Sequence, residues 1–131
     1  MLTSLSVTGV YAALIALLAI GLAGRVVVLR RRLRIGLGSG GEAALERAIR
    51  AHGNLVEYAP LALLLMFIIE SAGGSRPLLH GLGLALLAGR LLHAWGLSGH
   101  AGVSFGRFYG TALTWLMIVI SALLLLRPLV G

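Results

Sequence analysis

A chain of 131 residues that is 59% hydrophobic and only 11% charged, with a mean hydropathy of +1.00, is too apolar for an ordinary soluble domain and has the composition of an integral membrane protein. Its formal charge of +7 comes from arginines at the ends of apolar runs, with few polar residues between them, a distribution that argues against a nucleic-acid partner. The absence of cysteine excludes disulfides, thiolate metal sites and a cysteine nucleophile, so any thiol chemistry must use a thiol that the substrate brings.

Residues 5 to 29 are apolar or small apart from Arg25, long enough to cross about 30 Å of hydrocarbon. A cleavable signal peptide carries its basic residues ahead of the apolar run; here they follow it, so the segment is expected to remain as a membrane anchor. The connection "RRRLRIGLGSGG", residues 30 to 41, is basic and glycine-rich. The second run, "LVEYAPLALLLMFIIE", is too short alone, so its helix is predicted to begin between Glu42 and Leu45, with Pro60 bending it. After "SAGGSR" (71 to 76) comes a third run, Pro77 to Leu97, then "SGHAGVSFG" (98 to 106) and a fourth run, Gly110 to Val130. Pro77 suits a helix start and Pro128 a helix end. The pattern predicts one all-α domain over residues 1 to 131, an integral membrane four-helix bundle without internal repeats. Gly81, Ala85 and Gly89, Ala12 with Ala16, and Ala19 with Ala23 have the spacing of seams where helices approach closely.

The arginines set an orientation. Arg30, Arg31, Arg32 and Arg34 fall in the first connection, Arg47, Arg50, Arg90 and Arg107 lie close to the first or third, and Arg76 and Arg127 lie at the other face. By the positive-inside rule both termini are outside, and the first and third connections are cytoplasmic.

Ionisable residues then concentrate at one depth. At about 100° per residue, Glu46, Arg50, Gly53, Asn54 and Glu57 share one arc of the second helix, while His52 points to nearly the opposite side. A charge at membrane depth costs about 2.5–3.5 kcal/mol on insertion scales, so such residues usually face the bundle interior and pair. One reading is a structural ladder in which Glu46, Arg50 and Glu57 pair with Arg90 or Arg107. Another is a ligand site, to which Asn54 would offer both donors and acceptors. Arg90 and His93 share a face of the third helix; alone they also fit an interfacial arginine that snorkels and a histidine at the headgroups. Arg107, Gly110, Thr111 and Thr114 line one side of the fourth helix, with Tyr109 and Trp115 nearby. Three helices bringing such groups to one depth describe a cationic pocket open to cytoplasm and lipid, suited to an anionic ligand bearing carboxylates. Of His52, His80, His93 and His100, none has a close histidine or carboxylate partner on one helix face of the kind zinc needs, so no metal site is expected.

These residues resemble a family signature. "LERAIRAHGNLVEYAPL" is similar to the motif of the MAPEG proteins, the membrane-associated proteins of eicosanoid and glutathione metabolism, which include microsomal glutathione transferases and microsomal prostaglandin E synthase. The resemblance runs through Glu46, Arg47, Arg50, Ala51, His52, Asn54, Glu57, Tyr58 and Pro60 to Arg90, His93 and Arg107, covers essentially the whole chain, and is closest to the small prokaryotic branch. It implies a homotrimer in a bacterial inner membrane that binds glutathione between subunits as a co-substrate, with the thiol toward the lipid. Arg50, Asn54, Glu57 and Tyr58 would hold its polar groups, Arg30 or Arg31 would reach in from a neighbouring first helix, Arg90 and His93 would contact or support the ligand, and Arg107 would stabilise the thiolate. The chain departs from the family at Phe108, where relatives carry a small hydroxyl residue or leucine, and at Thr111 and Leu97, where some carry tyrosine.

The resemblance therefore implies a glutathione-dependent transferase or peroxidase acting on lipophilic electrophiles. The alternative is a non-enzymatic trimeric membrane protein that binds a membrane lipid or another anionic metabolite with the same arginines. A small transporter fits less well, because the ionisable residues lie toward one leaflet rather than at the midplane.

Overall fold

A computed structural model describes residues 6–99 and 104–130. They form four helices, α1 (Val7–Leu33), α2 (Ala43–Ser71), α3 (Arg76–Gly99) and α4 (Phe105–Val130), each long and apolar enough to cross a membrane. The protein is an all-α, multi-pass integral membrane protein. The expected start of the first helix at residue 5 and the placement of His100 in a loop lie outside the described residues.

Helices α2 and α3 form the centre, with α1 and α4 on either side; among the described residues every pair of helices packs together except α1 with α4. The buried residues of α2 include Leu55, Ala59, Ala62, Met66 and Ile69, and those of α3 include Leu82, Leu86, Gly89, His93 and Gly96. Both rows step by four and three residues alternately, the spacing that keeps one seam facing its neighbour along a left-handed bundle. That spacing explains why only part of the expected small-residue seam is used. A strict four-residue repeat drifts about 40° per step, so Gly89 is in the α3–α4 contact while Ala85 is half-buried and Gly81 faces open space. A backbone-to-backbone contact instead pairs Gly89 and Gly96 of α3 with Gly106 and Gly110 of α4: a Cβ on Gly106 would lie 2.5 Å from the Leu92 carbonyl oxygen. Ala12, Ala16, Ala19 and Ala23 are likewise not among the buried residues of α1, which are Val7, Thr8, Tyr11 and Ile15, although Ala19 packs at the edge of the core with Leu18 and Leu22.

Two helix ends differ from expectation for local reasons. α1 runs on through Leu33, so Arg30, Arg31 and Arg32 form its last turn instead of a loop. Cations there face the negative end of the helix dipole. Arg34, at φ 57°, closes the turn with its N–H on the Arg30 carbonyl, and the Arg30 guanidinium donates to the carbonyls of Ile35 (3.3 Å) and Gly38 (2.8 Å). α4 starts at Phe105, five residues before Gly110, because Ser104 accepts the Arg107 N–H on Oγ (3.3 Å) and the Phe108 N–H on its carbonyl (3.0 Å). Pro60 sits on the exposed side of α2, which continues as one helix past it.

The opposite end of the bundle is fastened by two contacts between helices. The Glu70 carboxylate, in the last turn of α2, accepts from Ser6 Oγ (2.8 Å), Val7 N–H (2.7 Å) and Thr8 N–H (3.0 Å), capping α1 from outside. Tyr11 lays its ring on Gly83, where a Cβ would come within 2.3 Å of it, and its hydroxyl lies 3.0 Å from His80 Nδ1.

Candidate functional site

The site end is where the start of α2, the end of α3 and the start of α4 converge. On α2, Glu46, Arg50 and Asn54 of the arc, with Tyr58 one turn further on, meet residues of α3 and α4, and Arg107 comes from the first turn of α4. Two adjoining hollows result. A polar alcove of about 220 Å³ is walled by Glu46, Arg47, Arg50 and Arg107, with Ala43 and Leu97 completing it. A larger cleft of about 610 Å³ is lined by Asn54, Tyr58, His93, Arg107, Thr111 and Trp115. Phe108 also borders this cleft. Arg107 is common to both, so its side chain stands at the boundary between a cationic chamber and an aromatic one.

Arg90 does not snorkel. It is 1% exposed, behind the cleft wall, and donates from Nε to Thr114 Oγ1 (3.0 Å), from Nη1 to Asn54 Oδ1 and from Nη2 to the Gly110 carbonyl (3.4 Å). Thr114 in turn donates to the same carbonyl at 2.9 Å, and the guanidinium carbon lies 5.9 Å from the centre of the Tyr58 ring. One side chain thus ties α2, α3 and α4 together at the site. The glycines explain its reach: because Gly89 and Gly110 let α3 and α4 touch, the α4 backbone carbonyl comes within range of an α3 guanidinium. His93 is also buried, at 5% exposure, where its backbone and Cβ pack on Gly110.

The charges at the mouth are held more loosely. Arg50 lies 3.6 Å from Glu57, and both side chains are about half exposed (55% and 52%); such a pair contributes little stability and leaves the cation largely available. Glu46 accepts from Ser39 Oγ at 3.2 Å, tying the α1–α2 connection to α2. A ladder from these carboxylates to Arg90 is therefore not what the chain builds, since Arg90 turns to neutral oxygens. Arg47 Nε is buried without a hydrogen-bond partner beside the alcove. His52 is half-buried and lines neither hollow. Arg30 is engaged with its own loop, Arg31 is exposed on the last turn of α1, and neither lines either of these two hollows. Among the described residues no three histidines or carboxylates gather as metal ligands would.

Sequence reasoning missed the second chamber's aromatic wall as a unit. Tyr58 and Trp115 rings sit 6.2 Å apart, tilted at 56°, although they are on different helices. No local spacing signals that pairing. Chemically, the alcove can neutralise and hydrogen-bond an anionic group, while the cleft offers π faces and methyl groups to an apolar one.

The profile of the MAPEG family matches residues 8–127. The chain is also 40% identical over 117 residues to the inner membrane protein YecN of Escherichia coli strain K12, covering 89% of this chain and 88% of that protein. The same identity and coverage hold for inner membrane protein YecN of Escherichia coli O6:H1 strain CFT073.

Proposed function

The chain belongs to the MAPEG family, and from that premise we propose that it is a glutathione-dependent transferase that joins the tripeptide's thiol to lipophilic electrophiles drawn from the bilayer. The observation that carries this reading is the shared position of Arg107, which walls both the polar alcove and the aromatic cleft. A ligand with carboxylates at one part and a thiol at another can put its charges among Arg47 and Arg50 and its sulfur beside Arg107, facing the space where an apolar acceptor lies.

The chemistry asks for little else. A free thiol titrates near 8.5, and an adjacent guanidinium favours the thiolate, which is the nucleophile. The proton leaves to solvent through the alcove; the sulfur electron pair forms a C–S bond with an electrophilic carbon; the leaving group departs with the electrons of the bond that breaks. With a hydroperoxide as acceptor, the thiolate takes the distal oxygen, an alcohol leaves after protonation, and a second glutathione converts the sulfenic acid to disulfide and water. No protein nucleophile enters either sequence, in keeping with a chain that has no cysteine.

The assembly in this reading is a homotrimer in a bacterial inner membrane, with termini outside and the site at the cytoplasmic leaflet. Support comes from α1, which has no buried residue after Ile15, so that most of the apolar surface of its second half is left uncovered within one chain. Arg30 or Arg31 of a neighbouring copy would then complete the alcove. In one respect the site favours a second reading, a binder of anionic lipid: Phe108 is 61% exposed beside Arg107 and extends the apolar rim toward the bilayer.

Purified protein in detergent separates the two. The transferase reading expects saturable glutathione binding and conjugation of a chlorodinitrobenzene acceptor, both reduced by Arg50→Gln. Binding of anionic phospholipid with neither glutathione binding nor conjugation would make it a lipid-binding protein instead.

A further inference from the structure

Among the described residues Arg90 is the largest fully enclosed side chain, and its partners are all uncharged: the Thr114 hydroxyl, the Asn54 amide oxygen, the Gly110 carbonyl and the Tyr58 ring. A guanidinium donates at every nitrogen and accepts at none. Whatever amide atom faces it must therefore be oxygen, and the Asn54 NH2 is turned away from it. Asn54 lines the cleft, whereas Arg90 does not.

We propose that Arg90 is a positioning residue: held by Thr114 and Gly110, it fixes the Asn54 amide with its NH2 presented to the cleft, so that this wall selects a ligand group that accepts hydrogen bonds, a carboxylate or an amide carbonyl. The proposal rests on the reading that a peptide-like thiol occupies the site, reaching from the alcove past Arg107 to the edge of the cleft where Asn54 stands. Unheld, an asparagine can turn either edge to a ligand and loses rotamer freedom on binding; held, it offers one edge already ordered. The device needs arginine, because a planar fork reaches Thr114, Asn54 and Gly110 at once, and an ammonium on a flexible stem cannot fix all three. It also needs Gly110, whose close approach to α3 brings its carbonyl within reach.

The sequence makes the test unusually clean. Asn54 is the only asparagine and the chain has no glutamine, so a nitrogen–proton correlation spectrum of nitrogen-labelled protein in detergent contains one side-chain carboxamide pair. That pair is expected away from the position of a free amide, and to move toward it in Arg90→Lys and in Thr114→Val while helix content stays the same. Thr114→Val removes only the hydroxyl that holds Nε, and keeps the test decisive should Arg90→Lys fail to fold. Reduced glutathione is expected to shift the wild-type pair, with affinity falling about tenfold in Arg90→Lys. In an Asn54→Ala background, Arg90→Lys should change affinity by no more than about twofold, because the residue acts through Asn54. A carboxamide pair that ignores the folded variants overturns the proposal, as do losses that multiply in the double variant. If glutathione leaves the wild-type pair unmoved while Thr114→Val still displaces it, the positioning stands and the glutathione reading falls.

Discussion

Gly110 and Gly89 meet backbone to backbone: a Cβ on Gly110 would lie 2.5 Å from the Gly89 carbonyl oxygen and 2.6 Å from the His93 nitrogen. Neither obstacle is a side chain that could swing aside, so Gly110→Ala must push α4 away from α3. Overpacking of this kind costs about 1–3 kcal/mol. The variant should unfold at lower temperature in detergent, and the displaced Gly110 carbonyl should loosen Arg90. An unchanged unfolding temperature would mean that the two helices are farther apart than described.

At the opposite end, Glu70 holds the first turn of α1 through Ser6, Val7 and Thr8. Glu70→Ala removes every one of these acceptor contacts, and loss of a helix cap costs about 0.5–2 kcal/mol. Hydrogen exchange at the Val7 and Thr8 amides should accelerate while the amides of α3 and α4 keep their protection. Uniform acceleration across all four helices would contradict a local capping role.

Little of this far-end fastening could be read from the sequence, whereas the α2 stripe could. Glu46, Arg50, Gly53, Asn54 and Glu57 fall within one arc at about 100° per residue, so the common side of Glu46, Arg50 and Asn54, which line the hollows, follows from helical geometry, while Gly53 and Glu57 line neither. The helix starts were legible from Pro77 and, at α4, from the stretch opening at Gly106, although the Ser104 cap that sets the start at Phe105 carries no signal in the apolar run, which begins only at Gly110. Contacts such as Arg90 with Asn54, Glu70 with Ser6 and Tyr58 with Trp115 join residues far apart in the chain. Their existence depends on how closely glycines let the helices approach, and no single-helix periodicity carries that information. Similarly, Gly81 and Ala85 have the right spacing for a seam but are carried off the contact by the drift of a four-residue repeat.

The Arg50–Glu57 pair separates stability from binding. Because both side chains are half exposed at 3.6 Å, Arg50→Gln and Glu57→Gln should each change stability by less than about 1 kcal/mol. Their effects on an anionic ligand should differ: Arg50→Gln weakens glutathione binding and reduces its salt dependence. Isothermal titration at two ionic strengths reads both. Equal affinity in wild type and Arg50→Gln would remove Arg50 from the alcove's function.

Trp115 reaches only the larger chamber. Trp115→Ala should therefore raise KM for an aromatic acceptor several-fold and leave the Kd for glutathione nearly as it was, since a lost aromatic contact is worth about 0.5–1.5 kcal/mol beyond its area. A fall in glutathione affinity matching the rise in acceptor KM would show that the two chambers do not divide the substrates as proposed.

Arg107, standing where the alcove meets the cleft, is proposed to hold the ligand's sulfur as thiolate. Ultraviolet titration of glutathione bound to the purified protein measures this directly. The account predicts a bound thiol that ionises well below the ordinary value near 8.5, so that thiolate and activity are present at neutral pH and are lost only as pH falls through the lowered value. In Arg107→Ala the titration should return to the free-thiol position while glutathione remains bound through the alcove. Wild-type protein that binds glutathione with its thiol titrating where the free thiol does would contradict the account.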